Sequence, residues 1–430
     1  MSNTVSPDAS KGLWRSYHAR DLEGWSGMTD RVVNEIVDAV AVLKGATAAG
    51  ELRQRGLERL HEYIDVSEVS QVRDHVLTSL RQPLLEMATA VGRQVLGWQH
   101  DFFVDDYLIL RINFPYEAAR RSNPRAENPG VGRLSESVRP IFQARKVIDP
   151  VYDPKAYHRD HPPAAWAHGP HMDSWAGHSR DGRNIWWAIG DVPADAGMVL
   201  YPELAGEALP CEPRTLYLQA GYPLPPPTGL PLQPGEMLIF DPEVLHGTHL
   251  NTSGATRVAV SMRLNASQPT FDPSCFYARE FWRRSSDIER GHDEVLHLRR
   301  EENLGPAADH APASHRPGLA AIEGAFDADA STVFVDTRMI PGSATRLVIA
   351  GGPGRVMLVH TVDGWRAYDA ACPHYGLDLA DGGADRDKLY CPGCAVGFDR
   401  RTGQSACASL TLQSYPVNEV PGGLRITVNA

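Results

Sequence analysis

Residues 372–394 read Cys-Pro-His, then sixteen residues, then Cys-Pro-Gly-Cys. Cys372, His374, Cys391 and Cys394 all carry atoms that bind metal ions. Two such boxes form one site only if the chain folds back and brings their loops together. The flanking sequence agrees with a small β domain. LVIA-GGPG-RVMLVH reads as a hairpin and VDGW as a second turn. The GGPG turn joins two strands and lacks the G-x-G-x-x-G spacing that opens a helix, so it is not a dinucleotide fingerprint.

This domain would close a chain of 430 residues, too long for one ordinary core, so two or more domains are predicted. The formal net charge of -11, with no Lys/Arg cluster, argues against nucleic acid as a partner. No apolar run is long enough to span a bilayer, and MSNTVSPDASKGLW lacks the pattern of a secretory signal. The expectation is a cytoplasmic protein without a membrane partner. Six cysteines in such a chain do not suggest a disulfide framework. Cys211, Cys275 and Cys407, outside the motif, read as small buried residues.

The expected organisation is α+β. Residues 1–100 form a helical region, with apolar residues at helical spacing in TDRVVNEIVDAVAVLK and again, with a proline interruption, in VRDHVLTSLRQPLLEMATAVGRQVLG. Residues 101–300 alternate short β-rich runs (YLILRINF, NIWWAIGDV, GMVLYP, EMLIF, RVAVSMRLN) with Gly/Pro turns, the texture of an antiparallel barrel or sandwich. Across the end of that range, Arg279–Leu304 is charged and reads as a helix. Residues 301–330 read as a linker and 331–430 as the small terminal domain.

The middle segment holds a second candidate site. His171-Met-Asp173 places two ligating side chains two residues apart, so on a strand they share one face. His246 follows the strand EMLIF and would complete a two-histidine, one-carboxylate face. That set suits non-haem Fe(II) and leaves three coordination positions open. Arg257 lies eleven residues beyond His246 at the head of RVAVSMRLN, where its planar fork suits a carboxylate. His249 is an alternative to His246. His168 and His178 read as loop residues. Thr248, Asn184 and Trp187 are candidate pocket residues. Arg111 and Asn113, which share a strand face, and Arg263 are candidates for a substrate carboxylate. Each of these three also reads as an ordinary ion-pair or interstrand residue. A binding module with merely buried histidines is the plainer alternative for the whole segment.

HMDSWAGH, NIWWAIGDV, GMVLYPE and GEMLIFDPEVLHGTHLNTSGATR together resemble the phytanoyl-CoA dioxygenase-like branch of the Fe(II)/2-oxoglutarate dioxygenases, over roughly residues 100–265. The resemblance implies a double-stranded β-helix (jelly roll) with helical support. It implies Fe(II) on His171, Asp173 and His246, and 2-oxoglutarate held by Arg257, with Thr248 and Asn184 nearby. The implied reaction uses O2 to oxidise a small-molecule substrate, a small polar metabolite such as a free amino acid. Because Asp173 is a carboxylate, hydroxylation, desaturation or ring closure is favoured over halogenation.

The end of the chain, with GFDRRTGQ after the second box, resembles a Rieske [2Fe–2S] ferredoxin domain over about 331–430. Cys394 stands where that family has a second histidine. Carried over, Cys372 and Cys391 share one iron, and His374 and Cys394 the other. A thiolate in place of an imidazole would lower the potential. A Cys3His zinc site and a metal-free relic, kept for packing or a homodimer contact, remain open. The domain's predicted uses are electron supply to the central iron or a structural role. A Rieske-type oxygenase or NAD(P)H-fed electron-transfer protein, with iron on Glu289, His292 and His297, is a rival reading. A non-catalytic iron or redox sensor is another.

Overall fold

The structure is a computed structural model and describes residues 12–122, 167–176, 178–212, 217–270, 281–292, 296–297, 318–327, 330–342, 344–351, 355–374 and 376–428. Three helices carry the N-terminal region: Met28–Lys44, Ala46–Arg55 and Val69–Ala90. The first buries Val32, Ile36, Val37 and Val40 at helical spacing. The third runs straight through Pro83 instead of breaking there. An interior proline costs about 3 kcal/mol. Burial of Leu80, Leu84, Leu85, Met87 and Ala88 around it offsets that, at about 1.5–3 kcal/mol for each large side chain. Where this helix ends, Gly92 meets Phe102 so closely that a Cβ would lie 2.3 Å from the ring.

The first hundred residues are not all helical. The strand Trp14–His18 pairs antiparallel with Glu236–Phe240 and forms one edge of the major sheet. From that edge the sheet continues through Gly182–Ala188, Arg257–Asn265, Phe103–Asp105, Phe281–Arg284 and Leu296–His297, and Ile109–Asn113 also pairs with the Arg257–Asn265 strand. A smaller sheet joins His246–Thr248, Met198–Leu200 and Thr228–Gly229. Its Met198 and Leu200 pack with Trp186, Ala188, Leu238 and Phe240 of the major sheet in one core. The charged stretch expected to be helical contributes the strands Phe281–Arg284 and Leu296–His297 instead. Its one described helix, Ser285–Glu289, is short.

Strand alternation divides the major sheet into two faces. Val258, Val260, Met262 and Leu264 join the helices in the largest core, together with Leu110, Ile112, Ile185 and Trp187. The opposite face carries Arg257, Ala259, Ser261 and Arg263. Their paired partners are Asn113 and Arg111 on one side, and Ala188, Trp186 and Asn184 on the other. This second face points between the sheets and is unusually polar.

The terminal domain begins inside the stretch expected to be linker. Ala321–Glu323 pairs parallel with Arg346–Ala350, and Ala325–Phe326 pairs with Thr332–Asp336. Residues 301–317, 328 and 329 of the expected linker lie outside the described residues. Both expected hairpins form, Arg346–Ala350 with Val356–Thr361 and the latter with Gly364–Asp369. The half of the domain that bears the cysteines docks on loops of the two-sheet domain. Leu250 N–H donates to Cys394 O at 2.9 Å, and Leu224 N–H to Asp381 O at 2.8 Å. At Gly383 the backbone of the two-sheet domain comes so near that a Cβ would stand 2.3 Å from Pro225 C.

Candidate metal centres

A reciprocal backbone pair sets the central site. His171 N–H donates to His246 O at 2.8 Å, and His246 N–H to His171 O at 2.9 Å. The two rings therefore face each other, with centroids 4.4 Å apart. Asp173 does not continue a strand from His171. It opens a short 3-10 turn, Asp173–Ala176, and its N–H is held by Pro242 O at 3.0 Å. The turn brings Oδ1 to 3.6 Å from His171 Nε2 and 3.8 Å from His246 Nε2. These three ligand atoms lie within 4.8 Å of one another.

Each ligand's other polar atom is occupied. His171 Nδ1 lies 2.8 Å from Gly169 O, and His246 Nδ1 lies 2.8 Å from Val244 O. A carbonyl can only accept, so each Nδ1 donates its proton there, which leaves each Nε2 as the atom turned to the site. Asp173 Oδ2 accepts from Asn184 Nδ2 at 2.7 Å and Arg263 Nε at 3.3 Å, which leaves Oδ1 for a cation. Burial, reinforced by His171, pushes His246 down to about 3, so its ring is neutral. Burial opposes the charge on Asp173, yet Arg263 and the histidines hold its carboxyl well below the usual range. Two imidazoles beside a carboxylate are a donor set that fits Fe(II).

Asn184 and Arg263, expected at the cofactor and substrate, thus orient a ligand. Replacing Asn184 with leucine is expected to weaken Fe(II) binding by about 10–100-fold, the usual effect of losing a ligand's outer partner. Fe(II) titration followed by equilibrium dialysis would measure this, and unchanged affinity would contradict the assigned role.

Arg257 is buried, with 2% of its surface exposed. Its Nη1 donates to Ala196 O at 2.5 Å, and its guanidinium lies 5.6 Å from the Trp186 ring centre. Its Nε is buried without a hydrogen-bond partner. Burial, then the charge of Arg111, pushes it down to about 9. Arg111 donates from Nε to Ser261 Oγ at 2.6 Å, and burial with nearby Arg263 pushes it down to about 10. Burying the Arg257 cation is costly unless an anion joins it.

Of the other expected pocket residues, Trp187 faces the helices. It lies three positions from Asn184 on one strand, and an odd step reverses the face. Trp186 takes the inward place. Thr248 Oγ1 accepts from His168 N–H at 2.8 Å and braces the loop before His171. Asn113 pairs with Arg257 in the sheet, and its carbonyl accepts from Asn251 at 3.0 Å. His249 points away, into a cleft of about 530 Å³ shared with Lys388 and Tyr390 of the terminal domain. His178 donates its N–H to Asp173 O at 3.2 Å. Tyr217, which sequence reasoning missed, sets its ring 5.8 Å from His171. It sits on a two-residue strand that leaves no periodic signal.

In the terminal domain the sulfurs of Cys372, Cys391 and Cys394 lie within 4.8 Å of one another. His374 is outside that group, its ring edge-on to Tyr116 at 5.2 Å. Cys407 Sγ contacts Glu117 Oε1 at 3.2 Å, another link to the barrel side. Cys275 lies outside the described residues. No disulfide forms among the described residues. Glu289 pairs with Arg93 at 2.9 Å and is not gathered into a metal face.

A two-histidine, one-carboxylate face marks an oxidoreductase of the oxygenase class, with iron at its centre. Residues 125–259 match the family model of phytanoyl-CoA dioxygenase (PhyH), and residues 333–416 match that of the Rieske [2Fe-2S] domain. No curated protein matches it significantly. Among solved structures, a complex of reduced oxygenase and oxidized ferredoxin in carbazole 1,9a-dioxygenase is similar at 22% identity. That match covers 23% of this chain and 93% of that one, with TM-score 0.20. Apo dicamba monooxygenase is 28% identical over 20% of this chain and 30% of its own length, with TM-score 0.18. The carbazole 1,9a-dioxygenase ferredoxin of Nocardioides aromaticivorans IC177 is 21% identical over 22% of this chain and 92% of its own, with TM-score 0.19. Among the described residues, no helix is long and apolar enough to cross a membrane.

Proposed function

We propose that the chain is an Fe(II)/2-oxoglutarate-dependent oxygenase that hydroxylates a small polar metabolite of amino-acid type. His171, Asp173 and His246 hold the iron on one face. Bound iron supplies the site for O2 chemistry in which 2-oxoglutarate leaves as succinate and CO2, and one oxygen atom passes to the substrate. The chain's own residues bind and orient. Arg257 takes the distal carboxylate of the keto acid, with Trp186 packed on its guanidinium. Arg111 presents a second cation for an acidic group on keto acid or substrate. Asn184 and Arg263 keep Asp173 turned to the metal. The sheets around these groups form a jelly roll that excludes water.

The observation that carries the reading is Arg257, a buried guanidinium whose Nε has no protein partner, on the same polar face as Asn184 and Arg263, which hold Asp173. The test is succinate formation by the Fe(II)-loaded full chain with 2-oxoglutarate and O2, across a panel of amino acids and small polar acids. The expected result is release dependent on both iron and keto acid. Failure of the iron-loaded chain to bind 2-oxoglutarate by calorimetry would sink the reading.

A further inference from the structure

The residues of the terminal site do not fit the cofactor named by its family match. In a Rieske centre, two cysteines hold one iron of a [2Fe–2S] cluster and two histidines the other. Here that division would pair Cys372 with Cys391, and His374 with Cys394. The observed grouping is three and one. The sulfurs of Cys372, Cys391 and Cys394 are mutually within 4.8 Å, and His374 is not in the group. Two thiolates on one tetrahedral ion, each at about 2.3 Å, stand about 3.8 Å apart. Thiolates on opposite irons of a cluster stand beyond about 5 Å, because the iron–iron separation adds to their outward lean. Three mutually close sulfurs match one metal ion.

The local backbone is built around that grouping. Gly393 N–H points at Cys391 Sγ, 3.4 Å away, as a donor to a thiolate would. Cys391 O accepts from Ala395 N–H at 3.1 Å, closing the turn. Ala395 adopts φ +57°, a left-handed conformation rare for a residue with a Cβ. Such a residue persists only where its surroundings enforce it. The barrel seals the site. Cys372, Cys391 and Cys394 are at most 2% exposed, and Ala395 packs with Tyr201 and Leu245.

We infer that Cys372, Cys391 and Cys394 hold a single structural zinc ion that pins the terminal domain to the barrel, and that no [2Fe–2S] cluster forms there. Zinc accepts a thiolate-rich tetrahedral set, and the three sulfurs supply three of its four positions. Loading it releases the thiol protons to solvent.

The test uses the full chain, expressed with both zinc and iron supplied and purified anaerobically. Zinc, iron and acid-labile sulfide are counted, and zinc-edge X-ray absorption reads the neighbours. One zinc per chain, with three sulfurs at about 2.3 Å and no sulfide, is expected. Cys394→Ser should lose the zinc, and Cys407→Ser, at a buried cysteine outside the group, should keep it. If Cys394→Ser fails to fold, the wild-type absorption spectrum decides. Two irons and two sulfides per chain beyond the central iron would overturn the inference, and so would a sulfur site that stays empty under zinc supplementation. Sulfide separates this outcome from the oxygenase reading, because the central site binds none.

Discussion

Asp173→Asn is expected to abolish iron loading and lower keto-acid turnover by more than about 100-fold, beyond the 10–100-fold typical of losing a ligand's outer partner. Asparagine has the shape of aspartate, so bulk is not the reason. The two atoms beside Oδ2, Asn184 Nδ2 and Arg263 Nε, are both donors. An asparagine here must turn its oxygen toward them. Its NH2 then faces His171 and His246, where it cannot ligate and where the negative charge is gone. Iron per chain after gel filtration, with succinate release, reads both effects. A variant that keeps its iron and stays within about tenfold of wild type would show that Asp173 is not the carboxylate ligand. Thermal unfolding of the apo chains separates loss of site from loss of fold.

The second large effect is expected at Arg257. Arg257→Met should raise the KM for 2-oxoglutarate by about 100-fold or more, since removing one partner of a buried ion pair costs about 3–5 kcal/mol. The same change should leave the apo protein as stable as wild type or more so. Methionine fills much of the volume, and the variant no longer buries a cation without a counter-ion. The two effects have opposite signs, which makes the pair of measurements decisive. Saturating keto acid should raise the melting temperature of wild type by mass action and leave the variant's unchanged. If the variant lost apo stability and kept keto-acid binding, Arg257 would be a structural cation and the cosubstrate site would lie elsewhere.

Much of the central site was legible because its chemistry demands particular residue types. His171, Asp173 and His246 fall together as their spacing suggested, although Asp173 reaches the site through a 3-10 turn instead of strand alternation. Arg257 heads its strand as expected. The period of two could also have placed Trp186 inward in preference to Trp187. Tyr217 gave no signal, because a two-residue strand has no pattern to read. Asn184 and Arg263 were noticed as polar residues on strands, but their service to Asp173 depends on cross-strand register, which only the fold supplies. The terminal domain was legible as strands, hairpins and ligand boxes. That Cys372, Cys391 and Cys394 group without His374 was not, because the grouping depends on how the two loops fold together.

The strand Trp14–His18 has a consequence for biosynthesis. It leaves the ribosome before the other described strands of the major sheet, yet its partner Glu236–Phe240 is synthesised only after Phe103–Asp105, Ile109–Asn113 and Gly182–Ala188. Until then its backbone donors and acceptors have only water or a chaperone to bind. Joining sequence-distant strands is slow, because loop closure precedes the reward of pairing. The major sheet therefore gains this edge late, and the N-terminal helices, whose contacts are more local, have time to fold first and offer the surface on which the sheet assembles.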